Sequence, residues 1–430
     1  MQTLILACAF VVAPQDGERL RQLEERLNEV VRKAEDEKKI REEEMAALRQ
    51  EIENLRGEDP KAGAAPTVNA GFGDIKISGL MQAWLVLKQN DLDNSAVGTG
   101  AGGLFDDDDS FRIRRTELNF SGNILEDRLS WGVMVDPSRA IQAGPETAAA
   151  QTRRILQDMF IRLHIPQVFD PENEEKWLKV DIGQFKTGLT YEGLMSSSKL
   201  DFLERSQLAR AFGDVRDIGV KLHGDYDFIA FSGMISNGEG QNTISDLNDA
   251  PLYTGRLAFR PFKNGFEGFE DSPLKGLEFG VTAQHGDASV SEADSTGHSQ
   301  GRFGVHLSWE IPKPFFDDDE FIVRAEWMHG RRPNPAAIRG DMEGWYTSAS
   351  YRFLSDYEFG LRFDHFDPGP VTAAAGAQPF SNINQWTIGF AWYISGDNAK
   401  VLANYLISDE PGSGLDLDDD MLVLGFQAAF

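Results

Sequence analysis

Cysteine is almost missing from this chain: Cys8 is the only one, so no internal disulfide framework can form. Long apolar runs are missing too. No stretch of about eighteen apolar residues occurs, which excludes a transmembrane helix but not a membrane-spanning β-barrel, where only alternate residues need be apolar. Basic excess is absent: the formal net charge is -27 and the pI is near 4.6, against the basic field that a nucleic-acid binder needs. Catalytic signatures are also lacking. There is no His-Glu-x-x-His, no Gly-x-Ser-x-Gly and no Gly-rich Lys-Ser/Thr loop, and the seven His residues are scattered without metal-ligand spacing. No enzyme activity, cofactor or metal is therefore expected.

What the chain does have is 42 Gly and 29 Phe in 430 residues, a composition that favours β-structure with many turns. Residues 1–14 hold an apolar run, Leu4 to Ala13, resembling the core of a secretory signal without its basic flank. Residues 15–56 read as a charged helix with a narrow apolar seam. Leu20, Leu23, Leu27, Val30 and Ala34 alternate three and four apart, and Met45, Leu48, Ile52 and Leu55 resume after a phase break. A seam this thin needs a partner, so a coiled coil and an oligomer are expected. At 1.5 Å per residue, positions 18–56 would span about 58 Å, enough to reach from a membrane towards a peptidoglycan layer. Residues 57–73, rich in Gly, Ala and Pro, read as a flexible linker.

From residue 74 to 430 the period changes to two. "DIKISGLMQAWLVLK" puts Ile75, Ile77, Met81, Ala83, Leu85 and Leu87 on one face, and "DEFIVRAEWM" puts Phe321, Val323, Ala325 and Trp327 opposite Arg324 and Glu326. About sixteen such segments follow one another. The connections between them alternate between short turns, such as 125–127, 224–227, 354–357 and 395–398, and longer polar stretches, such as 90–109, 189–215 and 367–382. Sorting loop length by end is what an outer-membrane barrel does, with turns in the periplasm and loops outside. The expected fold is an all-β transmembrane barrel of about sixteen antiparallel strands behind a helical coiled coil. Trp131, Trp309, Trp327, Trp386 and Trp392 share lipid-facing parity and are expected in interfacial girdles.

The last strand, "MLVLGFQAAF", places Leu422, Leu424, Phe426, Ala428 and Phe430 on one face. It resembles the terminal signal read by the barrel assembly machinery, with Val423 standing where a polar residue is usual. Several further stretches resemble the phosphate-selective porin O/P family: "FRIRRTELNFSG" (111–122), "VDIGQFKTGL" (180–189), "SSSKLDFLERSQLARAF" (196–212), "RDIGVKLHG" (216–224) and "ISNGEG" (235–240), in the family's order. Gly188 stands where the family has Pro. The resemblance implies a homotrimeric diffusion channel in the outer membrane of a Gram-negative-type bacterium, surrounded by lipid and passing small solutes, some members preferring anions.

The connection 189–215 is the longest and carries Leu, Phe and Met, so it is expected to fold into the lumen, anchored by Leu200, Phe202 and Leu203. Lys199, Glu204, Arg205 and Arg210 would then stand at the constriction, either contacting solute or pinning the loop through ion pairs. Strand parity puts Arg162, Lys179, Lys221, Arg324 and Arg362 among the lumen cations, opposed by Glu117, Asp181, Glu278, Glu310, Glu326, Glu358 and Asp364. A cationic passage lowers the barrier for anions, and the Arg fork suits phosphate. The competing expectation is a structural barrel that ties the membrane to the cell wall through its coiled coil.

Overall fold

In the computed structural model the described residues are 67–69, 73–88, 109–125, 128–141, 155–170, 175–213, 215–243, 245–263, 272–288, 298–331, 341–369, 382–409 and 420–430. The expected signal segment and coiled coil lie outside them, within a unit of their own, Met1–Ala64. Inside the stretch read as a linker, Thr67–Asn69 forms a short strand, β1. It pairs antiparallel with the next strand, Val68 opposite Ile75. Two adjacent β-branched residues favour this extended backbone over a free coil.

The barrel strands are β2 (Asp74–Lys88), β3 (Ser110–Ile124), β4 (Leu129–Val135), β5 (Leu156–His164), β6 (Leu178–Lys186), β7 (Arg216–Tyr226), β8 (Ile229–Ser236), β9 (Leu252–Phe259), β10 (Gly276–Ala288), β11 (His298–Pro312), β12 (Glu320–Arg331), β13 (Asp341–Phe353), β14 (Tyr357–Asp367), β15 (Ile383–Ser395), β16 (Ala399–Asp409) and β17 (Met421–Ala429). Each is antiparallel to its neighbours, and β17 pairs with β2, so sixteen strands close on themselves and leave no free edge. At the seam the Gly79 and Phe430 backbones exchange two hydrogen bonds, 3.0 and 3.1 Å. A Cβ at Gly79 would stand 2.6 Å from the Phe430 ring, so a bare backbone is needed where that ring lies down.

The two-residue period sorts side chains as alternation requires. Ile161, Ile182, Val220, Leu257, Val281, Phe359, Leu361, Ile388 and Phe426 are exposed on the outer wall, while Arg, Lys, Glu and Asp of the opposite parity point inward. Only hydrocarbon makes such an outer wall favourable over sixteen consecutive strands. Aromatic rings gather on that wall at two levels. Phe315, Tyr351, Phe353, Tyr357 and Phe390 form a chain of contacts near the short turns. Near the long connections Phe303 meets Trp327, and Trp345, Phe363 and Trp386 form a second run of contacts. Trp386 and Trp392, both exposed, mark the two levels on β15. They are six residues apart, about 20 Å of strand.

Candidate functional site

The connection between β6 and β7 turns into the barrel, and three structural devices hold it there. The first is a break in the strand period. Gln82 pairs with Arg115 but Ala83 pairs with Ile113, so Arg114 is an extra residue in β3. The bulge brings two consecutive arginines to the inner face, where strict alternation would send one into lipid. Both close on Glu204 of the loop. Arg114 Nε donates to its carboxylate at 2.8 Å, and Arg115 Nη2 donates to the other oxygen. Arg115 Nη1 is fixed in turn by Gln82 at 2.6 Å. Burial alone would raise the Glu204 carboxyl, but the Arg114, Arg115 and Arg210 charges hold it well below the usual carboxylate range.

The second device is a glycine seat. Gly360 and Gly389 face each other across β14 and β15, and Gly425 lies on β17. A Cβ at Gly389 would come within 2.9 Å of the Phe202 ring, and one at Gly425 within 2.1 Å of Leu203 Cδ2. The missing side chains are what let the loop lie flush on the wall. Leu203 packs among Trp84, Val86, Tyr393, Leu402, Met421 and Val423. Leu189, Leu208 and Phe212 pack against Met328, Met342 and Phe366. Burying Phe202 and Leu203 contributes about 1.5–3 kcal/mol each.

The third device is polar. Glu326 accepts from Tyr191 N at 2.6 Å, capping the short helix Tyr191–Leu194. Arg362 donates to the Glu204 carbonyl at 2.9 Å and to Asp364 at 2.7 Å, with its guanidinium 4.8 Å above the Phe202 ring. Arg324 pairs with Asp201 and with Glu310. Lys400 reaches the Leu200 carbonyl at 3.3 Å. Arg205 is 4 % exposed and spends its guanidinium on the carbonyls of Glu192 and Met195, at 3.1 and 2.8 Å.

The residues marked from sequence therefore fall into separate groups. Glu204, Arg205, Arg324 and Arg362 hold the loop. Arg210 adds positive charge beside Glu204, and Lys199 is exposed on the loop itself. Arg162, Lys179 and Lys221 stand elsewhere, on β5, β6 and β7, where the loop does not lie. Arg162 holds Asp181 through both oxygens, at 2.6 and 2.9 Å. Lys221 Nζ is 3.6 Å from the same carboxylate and 4.2 Å from the Phe185 ring, and His223 Nε2 is 3.1 Å from it. Lys179 is the register partner of His223. Arg162 and Lys221 thus share one buried carboxylate, and Lys179 stands two residues before it on the same face of β6. Next to them Arg256 and Arg260 share Glu278. Exposure separates the walls: the side chains of Arg162 and Lys221 are 27 % and 16 % exposed, those of Arg362 and Lys400 only 3 % and 1 %. Alternation alone did not reveal Arg114, Arg115, Glu192 or Asp201. The adjacent arginines in "RIRRT" were the signal, because two neighbours cannot both obey a period of two.

A closed sixteen-stranded barrel, greasy outside and charged inside, with one long connection folded into its lumen, is a porin. The chain belongs to the phosphate-selective porin O and P family, whose model matches residues 93–430. It is an outer-membrane protein of the Gram-negative type and a diffusion channel. Among solved structures it is similar to the outer membrane channel DcaP of Acinetobacter baumannii, at 12 % identity and a TM-score of 0.54, covering 85 % of this chain and 100 % of that one. An anion-selective porin from Comamonas acidovorans matches at 10 % identity and a TM-score of 0.48, covering 83 % and 100 %. A trimer form of OmpT from Vibrio cholerae matches at 11 % and 0.48, covering 83 % and 99 %. No curated protein sequence matches the chain.

Proposed function

We propose that this porin passes small hydrophilic solutes between its inward loop and the β5–β9 wall, with a preference for anions. The observation that carries the reading is that Arg162 and Lys221 pair with Asp181 while Lys179 adds a further cation beside them on β6, on the wall the loop leaves uncovered. Arg162, Lys179 and Lys221 against Asp181 leave a net charge of two positive, and a partly desolvated passage makes that excess felt by a passing ion. Phosphate is a fitting solute because the Nη1 side of Arg162, turned away from its Asp181 pair, still carries donors for an anion, and this finer assignment leans on the family. Arg205 and Glu204 act here as loop supports. The acidic balance of the whole chain does not oppose the reading, since Asp317, Asp318 and Asp319 lie in the β11–β12 turn, and "DDDD" (106–109) and "DLDDD" (416–420) fall in sequence between β2 and β3 and between β16 and β17, none of them on β5–β9.

The channel is proposed to work as a homotrimer whose last strand, ending in Phe430, engages the barrel assembly machinery. Residues 15–56, as a coiled coil, would tie it to peptidoglycan from the periplasmic side. Tether and pore are compatible, and no chemical step is assigned to the chain.

The test is the reversal potential of single channels in a planar bilayer under a salt gradient. Replacing Lys179 and Lys221 together by Glu changes the local charge from two positive to two negative. The potential is expected to move towards cation preference. An unchanged potential refutes the passage along this wall.

A further inference from the structure

On the outer wall, strands β9 to β13 carry two adjoining hollows that the channel reading does not use. The larger is a furrow of about 690 Å3. Its floor is made by the short outward side chains of Val281, Val305, Ala325 and Thr347, and Trp327 and Trp345 rise at its loop-side end. The smaller, about 380 Å3, lies beyond those rings towards the long connections. It is lined by His285, Gly301, Phe303, His329, Arg331 and Asp341. The two hollows meet at one stack of rings, in which Trp327 is edge-on to Phe303 at 6.2 Å and parallel to His329 at 6.3 Å. Gly301 opens the smaller hollow: a Cβ built there meets nothing within 4 Å.

The chemistry of the two hollows differs in the way the two ends of a lipid differ. The furrow offers hydrocarbon almost alone, at the depth of the acyl chains. The smaller hollow offers donors and acceptors together. Arg331 Nε makes no hydrogen bond among the described residues and stands 3.6 Å from Asp341. His329 is 3.5 Å from Glu343, which also accepts from Trp327 at 3.0 Å. Arg302 also borders the hollow but turns its guanidinium to Phe212 and Gln300, while Arg331 is already matched by Asp341, with Glu343 beyond His329, so a bare phosphate, which can only accept, gains little there. The two carboxylates suit hydroxyls, which donate as well as accept, and the ring faces of Phe303 and Trp327 suit the C–H face of a sugar. We infer that this face binds one glycolipid molecule of the leaflet on the long-connection side, with an acyl chain in the furrow and a sugar in the Gly301 hollow.

The test uses the full chain purified in a sugar-free detergent and titrated with monophosphoryl lipid A, read by native mass spectrometry. Phosphatidylethanolamine and phosphatidylglycerol serve as sugar-free arms. Wild type is expected to retain one lipid A per protomer, with neither phospholipid displacing it. Gly301→Phe fills the sugar hollow and Ala325→Trp fills the furrow, and each is expected to weaken retention by about tenfold or more, or about 1.4 kcal/mol. Neither residue faces the lumen, so both variants are expected to keep wild-type conductance, which also reports their folding. Retention at the wild-type level by both variants, or equal retention of a phospholipid, overturns the assignment.

Discussion

Glu204→Ala is the most informative perturbation of the loop. The carboxylate is enclosed by Arg114 and Arg115, whose side chains are themselves nearly buried, at 12 % and 3 % exposure. Removing it takes the nearest counter-charge from two adjacent guanidinium groups that have little water around them, with Glu117 more distant at 3.9 Å from Arg115 Nε. Breaking a buried pair from one side costs about 3–5 kcal/mol, because the survivor remains desolvated. The loop keeps its other fastenings, Phe202 and Leu203 in the glycine seat and the Arg362 and Glu326 bonds, so the barrel itself should stay folded. The cost falls instead on the docked state of the loop, whose ratio to undocked states should drop by about two to three and a half orders of magnitude at 1.4 kcal/mol per decade. The assay is single-channel recording, with thermal unfolding in detergent as the control. The variant should show larger and noisier conductance with a nearly unchanged melting transition. Arg114→Ala combined with Glu204→Ala should behave less badly than the sum of the single changes, since the pair is coupled. Wild-type conductance with wild-type noise would refute the idea that this ion pair holds the loop across the lumen.

Other expectations concern the same elements. The Glu204 carboxyl is depressed when folded, so its contribution is complete above the ordinary glutamate value of 4.5 and is lost only as pH falls below that towards the folded value; conductance recorded between pH 7 and pH 5 should therefore show no loop opening. Gly425→Leu invades the place of Leu203 Cδ2, and ion flux measured in liposomes should rise as the loop is pushed off β17. Gly79→Val removes the bed of the Phe430 ring, and heat-modifiable mobility on gels should show slower or incomplete barrel closure. A chain lacking residues 1–64, which keeps β1, should still conduct if the helix is a tether, and loss of all conductance would assign it a part in assembly.

Sixteen strands and their lumen parity were legible because hydrocarbon on one side and water on the other impose a strict period of two, and a period is visible in any single sequence. The places where the period fails mark the site. Val423, out of place in a terminal strand, is apolar because Leu203 covers it. Trp84, Val86, Met328 and Met342 point inward although apolar for the same reason: where the loop lies, the lumen wall is a protein interior. Arg114 and Arg115 break the alternation because a bulge turns both inward. The glycine seat could not be read in advance, since Gly360, Gly389 and Gly425 each look like an ordinary strand weakness until the distant Phe202 and Leu203 are laid against them. The loop's own Leu200, Phe202 and Leu203 did announce an apolar surface to be covered, but not which strands would cover it. Which of the lumen cations remain wet was equally hidden, because it depends on where a segment far away in sequence comes to rest.

The loop covers one flank of the lumen and spares the other, and this has a practical corollary. On the proposed reading, the bore depends on the side chains that glue the loop down and the sign of the ions admitted on the cations of the bare flank. Among the described residues the two sets do not overlap, so on that reading mesh size and charge preference can drift apart in descendants of this protein, or be retuned one at a time in the laboratory.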